Sequence, residues 1–84
     1  MILEGTILSK ETGLSAIFEG VEQPYVRCMI ARIEHPEVQS EARIVGISDL
    51  DVPIGGTVRL QVTRVITDRK AGVVRFDCKL LDEQ

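Results

Sequence analysis

The stretch VPIGGTVRLQVTRV, Val52 to Val65, decides the fold. A proline and two adjacent glycines precede basic side chains, and glycine-rich turns cradle phosphates when a helix follows them. The alternative is a turn that feeds a strand. A phosphate loop of the GxxxxGK[ST] kind carries a lysine and a hydroxyl at set places behind its glycines. Here Gly55 and Gly56 are followed by Thr57, Val58 and Arg59, with no lysine. Val58, Leu60 and Val62 then alternate with Arg59, Gln61 and Thr63, the period of a strand with one buried and one wet face. The glycine pair therefore reads as a turn. Pro53 sets φ, the glycines permit positive φ, and a strand begins.

The same rhythm continues downstream. Val74, Phe76, Cys78 and Leu80 alternate with Arg75, Asp77 and Lys79. Between the two strands TDRKAG (Thr67 to Gly72) is polar and ends in glycine, which suits a hairpin loop. Putting both apolar sets on one face requires an odd number of residues between paired positions. Upstream, ILEGTIL (Ile2 to Leu8) is a strand with an internal glycine, the mark of a bulge or a barrel corner. LSAIF (Leu14 to Phe18) reads as a second strand after a turn at KETG, and YVRCMIARI (Tyr25 to Ile33) as a central third, introduced by Pro24. ARIVGIS (Ala42 to Ser48) is a fourth, and EHPEVQSE before it suits one helical turn. Five or six short strands, tight turns and no amphipathic helix predict an all-β single domain over residues 1–84: a small five-stranded OB-like barrel, with an SH3-like barrel as the runner-up. Closure is favoured because a short chain without helices must hide its sheet edges.

Composition narrows the class further. The chain has 84 residues, 44% of them hydrophobic, with a net charge of −3, enough for one core and too apolar for disorder. No apolar run approaches the roughly 20 residues of a membrane-spanning helix. The opening MILEGTILSKE does not read as a secretory leader, so the expected compartment is the cytoplasm. Cys28 and Cys78 each sit in an apolar run and read as buried, reduced thiols. With His35 they make three candidate zinc ligands, one short of a structural site. No cofactor is expected.

Phrases along the chain carry a resemblance. Gly5-Thr6 opens the first strand, Pro24-Tyr25 the central one, Val45-Gly46 precedes Ile54-Gly55 with Val58, and Phe76 lies in the last strand. In that order they resemble the OB-fold domain of the thiolase-associated acyl-CoA-binding family, formerly a family of unknown function. The family's rubredoxin-like zinc ribbon has CxxC pairs, and these 84 residues contain none. The resemblance implies a non-catalytic partner of a thiolase-type enzyme that helps hold acyl-CoA.

Charge suggests where binding occurs. Residues 57–79 hold six basic and two acidic side chains, whereas residues 1–56 hold four and nine. Arg59, Arg69, Lys70, Arg75 and Lys79 thus make the last hairpin a basic patch for a phosphate-bearing ligand or an acidic surface. Phe18 and Phe76 fit the core pattern, which leaves Tyr25, with Arg27 two residues on, as the stacking platform. A single-stranded nucleic-acid binder is the alternative function, although a pI near 5.0 points away from nonspecific binding. Arg64 falls on the apolar face by parity and is expected to reach out at the barrel rim. Val65, Val73 and Leu81 are apolar on the wet face and form a candidate strip for a partner or a second copy. His35 lies in a polar connection, and no GxSxG nucleophile motif accompanies it, so no enzyme is expected.

Overall fold

The structure, a computed structural model, describes residues 1–70 and 73–81, with only the backbone of Val73. Among the described residues there are five strands and no helix: β1 (Ile2–Phe18), β2 (Val21–Arg32), β3 (Gln39–Val45), β4 (Thr57–Asp68) and β5 (Val73–Leu80). They close into a barrel in the order β1-β2-β3-β5-β4. All neighbours are antiparallel except β3 and β5, which run parallel. This is the small OB-like barrel that the alternation predicts.

β1 closes the ring by serving two partners. Ile2–Thr6 pair with β4 while the strand also pairs with β2 from Gly5 onward. Gly5 stands at that corner, opposite both Arg32 and Val58. A Cβ there would lie 2.3 Å from the Ala31 carbonyl oxygen, so the corner admits only glycine. The expected reversal at KETG does not occur. Register shifts after Ile7 and after Glu11 absorb the extra residues, with Gly13 at φ +77°, and β1 runs on unreversed through Phe18. The chain reverses instead at Glu19-Gly20, a two-residue turn with φ of +52° and +79°, the mirror-image geometry that matches strand twist.

The interior is one cluster built from every strand. Leu3, Ile7, Val26, Cys28, Ile30, Ala42, Ile44, Val58, Leu60, Phe76 and Cys78 fill it. Leu50, from the connection between β3 and β4, plugs it at 2% exposure. Lys10 holds that plug by donating from Nζ to the carbonyls of Leu50 (2.8 Å) and Val52 (3.3 Å). EHPEVQSE forms no helix: the Val38 N–H bonds the His35 carbonyl at 2.9 Å in a single tight turn. Val74 and Leu80, expected inside, lie at strand ends and are 44% and 41% exposed.

The glycine pair behaves as a turn. The Gly56 N–H bonds the Pro53 carbonyl at 2.9 Å, with Gly55 at φ +91°, and the Gly55 N–H bonds the Ile7 carbonyl at 2.8 Å. Both amides are spent inside the fold, so neither is available to an anion.

A bulge settles the fate of Arg64. β4 and β5 match Val62 to Cys78 but Arg64 to Asp77, leaving Thr63 as an extra residue. The bulge also meets the parity requirement, since Asp68 pairs with Val73 across an even-numbered connection. Beyond it the faces exchange. Arg64 turns outward with Asp77 rather than emerging at the rim from the apolar face, and Val65 comes opposite Phe76. Of the hairpin connection, Ala71 and Gly72 lie outside the described residues.

Candidate functional site

The outer wall of the barrel is a lattice of cross-strand ion pairs. Glu11 faces Arg27 across β1 and β2, and Glu4 faces Arg59 across β1 and β4. Glu41 and Arg43 on β3 face Arg75 and Asp77 on β5. Each pair is closed by an ion pair: Arg59–Glu4 and Arg75–Glu41 at 3.0 Å, Arg43–Asp77 at 2.7 Å, and Arg27–Glu11 through two hydrogen bonds that raise the Arg27 pKa. Directly opposed unlike charges stabilise a register. The basic last hairpin is therefore not one patch. Arg59 is engaged at the β1–β4 seam and Arg75 at the β3–β5 seam, on carboxylates that the sequence places far away.

One pair stands apart. Asp77 is 4% exposed although its position in β5 points outward. Arg43 donates to it through Nε (2.7 Å) and Nη2 (3.1 Å), a planar fork on both carboxylate oxygens. Thr63, the bulged residue, donates its hydroxyl to the Asp77 carbonyl at 3.0 Å. The same guanidinium lies 4.8 Å from the Phe18 ring centroid and 5.7 Å from that of Tyr25. Those two rings meet edge to face, 5.5 Å apart at 75°.

Phe18 is thus not a core residue. It sits half-buried at the end of β1, and the β1–β2 hairpin carries it onto the outer wall. Leu14, Ala16 and Phe18 on β1, with Gln23 and Tyr25 on β2, form the half-buried face of this arm. Between arm and wall runs a groove of about 240 Å³, bordered by Phe18, Gln23, Arg43, Arg64, Asp77 and Lys79. Arg64 and Lys79 are exposed and, among the described residues, have no carboxylate partner. The groove thus joins the Phe18 ring, a fixed guanidinium plane and two cations without a carboxylate partner among the described residues.

The residues expected to bind separate accordingly. Lys79 lines this groove, and Tyr25 supports it from behind by its contacts with Phe18 and Arg43. Arg27, Arg59 and Arg75 belong to the ion-pair lattice. Arg69 and Lys70 stand exposed at the far end of the β4–β5 hairpin. Val65 is exposed opposite Phe76, whereas Leu81 is half-buried beside the Arg59 carbonyl at the other end of β5. Five residues of strand, about 17 Å, separate them. The side chain of Val73 lies outside the described residues. Arg43, Asp77, Phe18 and Arg64 are the groove residues that sequence reasoning missed. The one usable signal was the Glu19-Gly20 turn, which places Phe18 at a hairpin tip.

Both thiols face the core. Burial raises the Cys28 pKa and pushes that of Cys78 up to about 12, and no disulfide joins them. His35 is exposed in its turn, 3.8 Å from Glu37. Among the described residues no cluster of His, Cys, Asp and Glu could hold a metal ion. No family model, curated protein or solved structure matches this chain. The fold and groove define its class: a small OB-like barrel with a candidate ligand face beside the β1–β2 hairpin.

Proposed function

We propose that this protein is a non-catalytic OB-type binding module that takes a nucleotide-bearing ligand in the groove between the β1–β2 arm and the wall. The observation that carries the reading is the placement of Arg64 and Lys79, without a carboxylate partner among the described residues, beside the Phe18 ring, which Tyr25 backs edge to face, and the Arg43 plane. A flat base packs against rings and guanidinium, while phosphates meet the two cations. The volume is below the roughly 300–1,000 Å³ of a whole-ligand pocket, which suits one end of a longer molecule. Coenzyme A has that shape, with a phosphorylated adenosine at one end and a long arm beyond it. The resemblance to the thiolase-associated family makes an acyl-CoA enzyme the first partner to seek.

A second reading is a short single-stranded nucleic acid, favoured by Arg69 and Lys70 at the end of the same hairpin. Titration of coenzyme A and of a labelled oligothymidylate at physiological salt separates the two. The first reading expects coenzyme A to bind, the oligonucleotide to bind more weakly, and Arg64→Glu with Lys79→Glu to weaken coenzyme A at least about tenfold, the effect of about 1.4 kcal/mol. Tighter oligonucleotide binding with a steep salt slope establishes the second reading. Binding of neither ligand, or binding unchanged by the double variant, rejects the groove as a nucleotide site.

A further inference from the structure

β1 outruns its second partner. β4 covers it only from Ile2 to Thr6, and the Gly55–Gly56 turn bonds Ile7. From Leu14 to Phe18 the strand pairs with β2 alone, and no described residue pairs with its other edge. The direction of the backbone groups on that edge follows from one hydrogen bond. The Pro24 carbonyl accepts from the Gly46 N–H at 2.8 Å, on the β3 side, so it points away from β1. Ser15, directly opposite Pro24, therefore turns its own N–H and C=O outward, and Ile17, two residues on, does the same. An open edge of this kind is a template for another strand.

Strand edges are ordinarily blunted by charge, proline or a bulge. The run Thr12 to Phe18 contains no charged residue and no proline, and the register shift ends before Leu14. Ile17 on this edge is 73% exposed, more than any other large hydrophobic side chain among the described residues. The run is also complementary to itself. Antiparallel pairing about Ala16 puts Ser15 opposite Ile17, so that the outward backbone groups of each meet. It puts Leu14 opposite Phe18 on the half-buried face, and small Ala16 side chains at the twofold axis. Glu19 then falls opposite Gly13 and not opposite a carboxylate, whereas a register one pair earlier sets Glu19 against Glu11.

We propose that two copies of this chain associate through the open β1 edge, Leu14 to Phe18, into a continuous β2-β1-β1-β2 sheet with twofold symmetry. The edge adjoins the groove, since Ile17 borders both, but the association needs no ligand there. The β4–β5 hairpin offers no contiguous strip among the described residues, because Val65 lies opposite Phe76, five residues of strand from Leu81.

Sedimentation velocity from micromolar to submillimolar concentration tests it, with circular dichroism to check folding. The wild-type chain is expected to double its mass as concentration rises. Ile17→Pro removes one outward N–H without a β1–β2 bond and is expected to leave a monomer. Ile17→Lys, which decides the matter should the proline variant fail to fold, is expected to weaken the dimer at least tenfold. Val65→Lys is expected to leave it unchanged. A wild type that stays monomeric overturns the proposal, as does a dimer indifferent to Ile17→Lys or one abolished by Val65→Lys.

Discussion

Asp77 owes its state to its neighbours and not to its place in the strand. Its alternation in RFDCKL puts it outward with Arg75 and Lys79, and that parity holds. It is dry because Arg43 and the hairpin arm cover it. A buried carboxylate without its counter-charge is far worse than a half-exposed guanidinium without its carboxylate, since arginine keeps ring contacts and some water. Arg43→Ala is therefore expected to cost about 2–4 kcal/mol in chemical denaturation, Asp77→Ala less, and the double variant less than the sum. Additive losses would show the two side chains to be energetically independent. No residue pattern announces the pair: its members are 34 positions apart and each sits in an ordinary alternating strand.

At the level of the element, β1 carries most of the design. Its 17 residues bend around the barrel with Gly5 at the corner shared with β4 and Gly13 in the second register shift. These glycines act by different physics. Gly5 is needed for space, because a methyl group there would meet Ala31 and Ile30 at 2.3 and 2.5 Å. Gly13 is needed for its positive φ, with nothing within 4 Å. Gly5→Ala is expected to cost about 1–3 kcal/mol by overpacking and Gly13→Ala about 1 kcal/mol by backbone strain. Denaturant midpoints of the two variants check the order, and a larger loss at Gly13 would mean that the corner can yield. The internal Gly5 was legible as a corner. KETG was misread as a reversal because glycine with polar neighbours marks a bulge as readily as a turn. The Thr63 bulge left no trace in the alternation except the misplaced parity of Arg64 and Val65.

For the whole molecule, closure makes the interior dry enough to govern ionisation. Cys78 is held protonated to about pH 12, whereas an unfolded thiol releases its proton near pH 8.5. The folded state thus binds the proton more tightly. Stability is independent of this group below the unfolded value and falls as pH rises above it, by at most about 1.4 kcal/mol per unit. Denaturant midpoints measured between about pH 8 and 10.5 should fall more steeply in the wild type than in Cys78→Val. Equal slopes would assign the decline to other groups. Fold class, the inward faces and the structural use of the glycine pair were decided by local chemistry: a period of two places side chains on alternate faces whatever the strand's neighbours. Strand order, the shared β1, the ion-pair lattice and the groove were decided by closure alone. Each joins residues tens of positions apart, and a one-residue bulge is enough to exchange which of them meet.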